Sequence, residues 1–170
     1  MKTDISVIIP CYNSGQFLIR SVESILGQTF RKFEIIIIND GSTDKITLQI
    51  LNKYKKNNKI KIVNKKNAGL PAARNSGIEL SKSKYILMLD ADDWLRLDTL
   101  EIFYNFLERN KKVSYVYSNI HLADEKKGVL KKNFNFFEQL FTNQIPYCIL
   151  FRRNIFERGF KYDEKMKKGF

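Results

Sequence analysis

The sequence predicts an α/β fold, with a mainly parallel central sheet that is flanked by helices on both faces. Apolar strand-like runs alternate with helical segments from residue 5 to about residue 120, an order typical of βαβ units and parallel sheets. The runs are short and continuously apolar, as expected for strands buried on both faces. The 170 residues, 44% of them hydrophobic, are enough for one domain with a proper core.

The predicted elements follow from local patterns in chain order. Apolar residues at helical spacing predict a helix over residues 16–26, with Gly27 as its stop. Ser42-Thr43-Asp44 offers N-cap chemistry for a helix that ends at Tyr54. Asp98-Thr-Leu-Glu101 resembles a capping box that opens a helix to about Asn110. The predicted strands are residues 5–10, 33–39, 60–63, 85–89 and 114–120, and a further helix is predicted over residues 70–80.

The pattern loosens after about Ala123. A charged turn is predicted over residues 124–128, followed by an aromatic-rich helix over 134–141. A further strand is predicted over 145–151, with Pro146 near its start, and a short helix over 153–156. We therefore expect one domain over residues 1–170, with a first half to residue 123 and a second half from residue 124.

The chain is strongly basic, with a formal net charge of +12. Its densest lysine patch contains no acid and comprises Lys53, Lys55, Lys56, Lys59, Lys61, Lys65 and Lys66. The residues favour a solvated face for this patch, and peripheral contact with an anionic membrane second. Nucleic acid is not the predicted partner, because the lysines are not interleaved with stacking aromatics and no nucleic-acid-binding motif is present.

The two cysteines and the absence of long apolar runs bear on location. Cys11 and Cys148 lie far apart without metal-ligand spacing, which indicates a reduced, intracellular protein. No run approaches the roughly 20 apolar residues needed to cross a bilayer. The sequence therefore predicts a cytoplasmic protein, with the inner face of the membrane as the surface it would contact.

The most informative motif is a cluster of carboxylates at the end of a buried strand. The apolar strand over residues 85–89 runs directly into Asp90-Ala91-Asp92-Asp93. Ligands of open α/β sheets bind beyond the carboxyl ends of the strands. Two acids spaced Asp-x-Asp suit a divalent metal that also holds phosphate oxygens, with Asp92 or Asp93 as ligand and Asp90 near a ribose or behind the metal ligands. The alternative is an acidic turn that caps a helix.

Three other loops are expected at the same edge, because crossovers between parallel strands are right-handed. The first, Pro10–Gly15, carries Tyr12, which could stack on a base, or is an ordinary strand-to-helix turn. The second carries Asp40, which could accept from a base or a ribose, or only shapes a turn with Gly41 at positive φ. The third carries Arg74, either as a phosphate clamp or as an ion pair that holds the acids.

Together, in this order, the four loops resemble those of the family 2 glycosyltransferases. This family has the GT-A fold, a Rossmann-like α/β sandwich that binds nucleotide sugars. The matching strings are Ser6-Val-Ile-Ile-Pro-Cys-Tyr-Asn13, Ile36-Ile-Ile-Asn-Asp-Gly-Ser-Thr-Asp44, Asn67-Ala-Gly-Leu-Pro-Ala-Ala-Arg-Asn-Ser-Gly77 and Leu89-Asp-Ala-Asp-Asp93. Four matches in register over the first hundred residues make the resemblance specific.

The resemblance implies particular ligands for these residues. Asp90 and Asp92 would form the family's Asp-x-Asp, and Asp92 would reach Mn²⁺ or Mg²⁺ bridging the diphosphate of the donor. Arg74 would lie beside the nucleotide and the acidic motif. Residues implied to line the base and ribose pocket are Pro10, Tyr12 and Asp40, and Asn13, Asn67, Gly69 and Ala91 complete the donor-binding set. Residues 1–123 would then be the nucleotide and metal half, and 124–170 the start of the acceptor-side half.

The sequence departs from the family at its C-terminal end. An inverting enzyme needs a carboxylate base for the acceptor hydroxyl. In the family this base follows a segment resembling Gly159-Phe-Lys-Tyr-Asp-Glu164, and here it is expected just beyond Phe170. No catalytic base is therefore assigned within residues 1–170, and we expect a truncated or fragmentary enzyme with weak or no activity of its own.

The function predicted from the sequence is transfer of a sugar, from a UDP-sugar by family habit, to a glycan or lipid-linked acceptor in bacterial cell-surface polysaccharide synthesis. A non-catalytic nucleotide-binding fragment is the first alternative. A nucleotidyltransferase is the second, and it is disfavoured because Pro10–Gly15 lacks the Gly-rich basic loop that those enzymes usually carry.

Overall fold

The computed structural model describes residues 3–122, 128–130 and 148–166. Strands and helices alternate along the first 109 residues, as the sequence predicts. The strands are β1 (Ile5–Cys11), β2 (Phe33–Asp40), β3 (Ile60–Lys65), β4 (Tyr85–Met88), β5 (Tyr115–Tyr117), β6 (Ile120–Leu122), β7 (Gly128–Leu130) and β8 (Ile149–Arg152). The helices are α1 (Gly15–Leu26), α2 (Lys45–Tyr54), α3 (Leu70–Leu80), α4 (Thr99–Arg109) and α5 (Asn154–Glu157).

Six strands form the central sheet, in the order β3-β2-β1-β4-β8-β5. The first four strands of this order are parallel, with Ile5 of β1 opposite Phe33 of β2 and Tyr85 of β4. Strand β8 enters between β4 and β5 and runs antiparallel to both. The predicted mainly parallel α/β sheet is thus confirmed.

Helices cover both faces of the sheet. Alternate residues of β1 point to opposite sides, so that Val7 and Ile9 join the cluster under α1, α2 and α4, whereas Ile8 joins the cluster under α3. Helix α3 lies close to the strands, because a Cβ added at Gly77 would come within 2.3 Å of Ile8 Cγ2. The absence of a side chain at Gly77 therefore allows this close packing.

Two local predictions are wrong. The strand predicted over 114–120 is two separate strands, since β5 ends at Tyr117 and Ile120 begins β6, which pairs with β7 in a second sheet. The capping box at Asp98 does not form. The Asp98 carboxylate accepts instead from Arg96 Nε and Nη2, at 2.8 and 2.9 Å, and Glu101 accepts from Thr29 Oγ1 at 2.6 Å. Partners outside the motif thus replace the local bonds.

Some predictions fall outside the described residues. These are the helix over 134–141, almost all of the turn over 124–128, and the start of the strand predicted over 145–151, including Pro146. The described part of that strand is β8, and the short helix over 153–156 appears as α5. Within the described ranges, no helix is both long enough and apolar enough to span a membrane. The division of the chain at residue 123 stays a prediction.

Candidate functional site

The loops that follow β1 and β2 are joined by Asn13. Its backbone N–H donates to Ser42 Oγ at 3.1 Å, and its Oδ1 accepts from the N–H groups of Thr43 and Asp44 at 2.8 and 3.2 Å. Asn13 has a φ of 50°, in the left-handed region that asparagine tolerates better than most residues. The convergence of these two loops is confirmed, and the side chain predicted to bind ligand also fixes loop shape.

Asp40 lies at the end of β2 and is almost fully buried, with 3% exposure. Its Oδ1 accepts from Lys65 Nζ at 2.7 Å, and its two carboxylate oxygens accept from the backbone N–H groups of Ala68 and Gly69 at 2.8 to 3.2 Å. Lys65 is the register partner of Asp40 on β3. Both oxygens are thus engaged by the protein, and a contact of Asp40 with a base or ribose stays a prediction.

Glycine allows the loop after β3 to approach Asp40. Gly41 and Gly69 have φ values of 75° and 92°, which confirms the positive φ predicted for Gly41. A Cβ added at Gly41 would lie 2.8 Å from the backbone nitrogen of Asn67, so the two loops touch through their main chains. Asn67 and Gly69 therefore stand beside Asp40 as predicted neighbours, and Gly69 also caps the start of α3.

Arg74 on α3 reaches the acidic motif. Its Nη2 donates to Asp90 Oδ1 at 2.7 Å, with 13% of the Arg74 side chain and 23% of the Asp90 side chain exposed. The sequence left a phosphate clamp and an ion pair open for Arg74, and the ion pair is present. The Nε atom of Arg74 is buried and has no hydrogen-bond partner among the described residues, so the guanidinium retains a donor.

The acidic motif crowds its carboxylates together at the end of β4. Asp92 is exposed, Asp93 is partly buried, and Ala91, between Asp90 and Asp92, is buried. Burial, and then the negative charges of Asp90 and Asp92, raise the pKa of Asp93 to about 6. Three carboxylates with one guanidinium leave two negative charges here when all groups are ionised, which matches the charge of one divalent cation.

The donor chemistry of this motif also fits a divalent metal. Carboxylate oxygens are the ligands that Mg²⁺ and Mn²⁺ prefer, and Mg²⁺ usually keeps waters and takes only one or two carboxylates together with substrate phosphates. The described residues contain no group of three or more His, Cys, Asp or Glu side chains arranged as a complete metal site. The motif thus fits a metal whose remaining ligands are water and phosphate oxygens.

Polar residues of α1 and of the turn after it hold the segment that follows the acidic motif in place, and sequence reasoning missed them. Gln28 is fully buried, donates to Arg96 O at 2.7 Å and accepts from Leu100 N at 2.9 Å. Ser24 Oγ accepts from Leu95 N at 3.1 Å, and Ser21 Oγ lies 3.4 Å from Asp90 O. Ser21 and Ser24 are three residues apart and so lie on one face of α1, a spacing that could have found them, whereas Gln28 follows the end of the helix.

The β1 end of the site contains Pro10, Tyr12 and Cys11. Pro10 is a buried residue within β1, whereas Tyr12 beyond the strand is 51% exposed and so is accessible to a planar ligand. The N–H of Gly15, which could have met an anion, donates to Thr47 Oγ1 at 2.7 Å. Burial raises the pKa of the Cys11 thiol, so this cysteine stays protonated.

Cys148, just before β8, lies near the acidic motif. Burial first, and then the charges of Asp93 and Asp90, raise the pKa of its thiol to about 12. A thiol with so high a pKa is protonated at neutral pH, and a protonated thiol is a poor nucleophile. Cys148 therefore adds no negative charge beside the carboxylates in the metal-free chain.

Comparison with known proteins gives the family. The profile of Glycosyl transferase family 2 matches residues 6–160. An uncharacterised glycosyltransferase of Rickettsia conorii is 37% identical over 95% of this chain, and the chain spans 29% of that protein's length. Chondroitin synthase of Pasteurella multocida is 34% identical over 77% of the chain, which corresponds to 14% of the synthase.

Solved structures support the fold. The 1–349 fragment of S. aureus TarS in complex with UDP superposes with a TM-score of 0.79 at 24% identity, over 99% of this chain and 52% of that one. The mannosyltransferase PcManGT from Pyrobaculum calidifontis, in complex with GDP-Man and Mn²⁺, gives a TM-score of 0.72 at 19% identity, over 96% of this chain and 48% of that one. The fold is thus that of GT-A glycosyltransferases, and this chain belongs to glycosyl transferase family 2.

Proposed function

We propose that this chain forms the donor and metal site of an enzyme that transfers a sugar from a nucleotide-diphosphate sugar. The observation that carries the proposal is the acidic edge, where the charges of Asp90 and Asp92 act on Asp93 and where Arg74 pairs with Asp90. Such an edge suits a divalent metal and a diphosphate together. Family membership over residues 6–160 supports the same conclusion.

The residues of the four loops would divide the binding of the donor. The exposed ring of Tyr12 offers a stacking surface for a base. Asp40, with the loop of Asn67 and Gly69 fixed on it, shapes the wall of the base and ribose pocket. Arg74 has a buried Nε that is free to donate among the described residues, and a phosphate oxygen is a strong acceptor for it.

Asp92 and Asp90 would hold Mn²⁺ or Mg²⁺. When bound, the metal would neutralise the negative charge that develops on the nucleoside diphosphate as it leaves. Asp92 is exposed and available, while Asp90 is oriented by Arg74 through one oxygen. Asp93 adds a third charge, and its partial burial beside the other two favours the arrival of a cation.

The donor that we propose is a UDP-sugar, and the acceptor a glycan or a lipid-linked glycan. Solved structures of TarS carry UDP and UDP-GlcNAc, and the similar curated proteins include chondroitin and hyaluronan synthases. The general base of an inverting transfer is not assigned to any residue here and stays the prediction made from the sequence.

A thermal-shift titration tests the donor site. The chain is heated with UDP, GDP or dTDP, each with Mn²⁺ and with chelator. A ligand that binds only the folded chain stabilises it by about 2.7 kcal/mol at a hundred times its dissociation constant. We expect a shift for UDP that requires Mn²⁺ and that is absent in Asp92→Ala.

The matched control is Asp98→Ala, because Asp98 is an acid six residues away that pairs at the surface with Arg96. This variant should keep the shift. Absence of any nucleotide shift in the unaltered chain would overturn the donor site. If UDP shifts the unfolding temperature but longer forms of the protein transfer no sugar, the alternative of a nucleotide-binding module without catalysis would be favoured.

We also propose that the lysine patch contacts anionic membrane. Among its exposed members, Lys53 is in the last turn of α2, and Lys55 and Lys56 follow the end of that helix. Lys61 lies on the edge strand β3, and Lys66 follows it. Vesicles of phosphatidylglycerol and phosphatidylcholine should bind the chain, and phosphatidylcholine alone should not. A Lys55→Glu/Lys56→Glu variant should lose this binding, whereas Lys82→Glu/Lys112→Glu, with the same charge change at other exposed sites, should keep it. Equal loss in both variants would contradict a specific surface.

A further inference from the structure

The segment over residues 160–166 is anchored to α3 by one buried amide. Asn75 is 4% exposed, and its Nδ2 donates to Tyr162 O at 2.9 Å while its Oδ1 accepts from Tyr162 N at 3.0 Å. The same Nδ2 donates to Glu164 Oε1 at 2.8 Å. Because both backbone polar groups of Tyr162 are bonded to one side chain, the position of this residue on the helix is fixed.

A second tie of the same segment is weak by comparison. Lys161 Nζ lies 3.3 Å from Glu79 Oε1, and both side chains are about two-thirds exposed, at 64% and 65%. Ion pairs exposed in this way contribute little to stability. The anchor at Asn75, rather than the surface pair, therefore determines where Tyr162 lies.

The ring of Tyr162 covers the guanidinium that pairs with the acidic motif. It packs, partly buried, against the apolar cluster beneath α3 that includes Ile8 and Ile78. The Cζ atom of Arg74 lies 5.3 Å from the ring centroid, within the range of a cation–π interaction. Arg74 in turn donates to Asp90, so its guanidinium is held by a ring and by a carboxylate.

The charges of Arg74 and Asp90 both influence the pKa of the Tyr162 phenol. Burial raises the pKa of Tyr162, the positive charge of Arg74 lowers it, and the negative charge of Asp90 raises it. Both members of the ion pair are thus close enough to influence the tyrosine. Sequence reasoning left Asn75 and Tyr162 without a role, because the contact joins residues 87 apart in the chain.

We propose that Tyr162, held by Asn75, is a positioning residue that fixes the Arg74–Asp90 pair for the metal-binding edge. An unrestrained arginine side chain has many rotamers, and restricting them beforehand lowers the entropy lost when a ligand binds. The inference rests on the proposed function for its metal, although the restraint on Arg74 exists without one. According to this proposal, residues 160–166 contribute to the metal-binding site through Tyr162.

The restraint is tested in the metal-free chain by NMR of the arginine Nε–Hε groups. Arg74→Lys identifies the Arg74 signal by its loss. In the unaltered chain the signal should be displaced by the tyrosine ring current, and Tyr162→Phe should retain that displacement because it keeps the ring. In Tyr162→Leu the signal should move to the position of a mobile arginine. An unchanged Arg74 signal in Tyr162→Leu would overturn the proposal.

The consequence for the metal is measured as Mn²⁺ affinity in the presence of UDP, by EPR of free Mn²⁺. Tyr162→Leu should weaken binding about tenfold, the low end for groups that orient metal ligands, and Tyr162→Phe should restore it. Glu79→Gln, which removes the surface tie of the same segment, is the control and should bind normally. Equal affinity in Tyr162→Leu and the unaltered chain would contradict the positioning role. If the unaltered chain binds no Mn²⁺, the proposed function fails, and the metal-free spectra still decide on the restraint.

Discussion

Two aspartates end neighbouring regions of the same sheet edge, and their surroundings differ. Asp40, the last residue of β2, is 3% exposed and accepts hydrogen bonds from a lysine and two backbone N–H groups. Asp90, after β4, is more exposed, accepts from one guanidinium and has two further carboxylates beside it. A carboxylate whose oxygens accept hydrogen bonds from the protein stabilises the local structure. A carboxylate beside other carboxylates is repelled by them, and binding of a cation would relieve this repulsion.

The difference arises from what each strand has as its neighbour. The register of β2 and β3 places Asp40 opposite Lys65, and the glycine-containing loop after β3 turns its N–H groups towards the carboxylate. The loop after β4 instead lies against α1 and the turn after it, where Ser24 and Gln28 form hydrogen bonds with its backbone rather than with its carboxylates. The end of β2 therefore fixes the shape of the loops, whereas the end of β4 concentrates negative charge.

The largest expected effect is that of Asp40→Ala on stability. The substitution would leave the Lys65 ammonium and the Ala68 and Gly69 N–H groups without their acceptor, and removing one partner of a buried pair costs about 3 kcal/mol. Urea denaturation would measure the free energy of unfolding. Asp98→Ala breaks an exposed pair and should cost less than about 1 kcal/mol. Similar losses in the two variants would contradict the structural role of Asp40.

Asp93→Asn should have the opposite sign. The pKa of Asp93 is raised from 3.8 to about 6, so the folded chain binds a proton more readily than the unfolded chain, and stability falls as pH rises through this window. At pH 7 with chelator present, the variant should be more stable by about 1–2 kcal/mol, after allowance for solvent screening. Below pH 4 the gain should vanish. A gain that does not depend on pH would contradict the charge crowding.

Apart from the Asp98→Ala control, the smallest expected effect on stability is that of Asn13→Ala. Asn13 connects the loops that follow β1 and β2. The substitution removes the acceptor of the Thr43 and Asp44 N–H groups, both accessible to water. We expect a loss of about 1 kcal/mol in the free energy of unfolding. A loss well above that of a surface hydrogen bond would mean that Asn13 supports more of the edge than these contacts indicate.

The sequence predicted the parallel half of the molecule better than the rest. The strands β1, β2 and β4 are continuous apolar runs that are almost entirely buried, whereas the edge strand β3 is only partly buried. Strands and helices alternate through this part of the chain. The short strand β8 could be recognised as apolar but not placed, because its insertion beside β4 depends on pairing with residues more than 60 positions away. The position of β8 in the sheet is set by tertiary strand pairing, which cannot be inferred from local hydrophobic periodicity.

For the site, too, the sequence predicted which loops meet but not which side chains contact each other. The loops that carry Asp40, Arg74 and Asp90 do meet at one edge, which the right-handedness of crossovers requires. The partners of these residues were not predicted, since Lys65 depends on strand register and Tyr162 on a contact across 87 residues. The capping box at Asp98 failed for a related reason, because Arg96 competes for the carboxylate.

The central claim is that the metal is held at the end of β4 and not at the end of β2. An equilibrium titration with Mn²⁺ in the presence of UDP, followed by EPR and corrected for the folded fraction of each variant, compares Asp92→Asn with Asp40→Asn. We expect Asp92→Asn to abolish Mn²⁺ binding and Asp40→Asn to leave the Mn²⁺ affinity of the folded molecules within a few-fold of the unaltered chain. Equal loss in both variants, or full binding by Asp92→Asn, would contradict this account of the two regions.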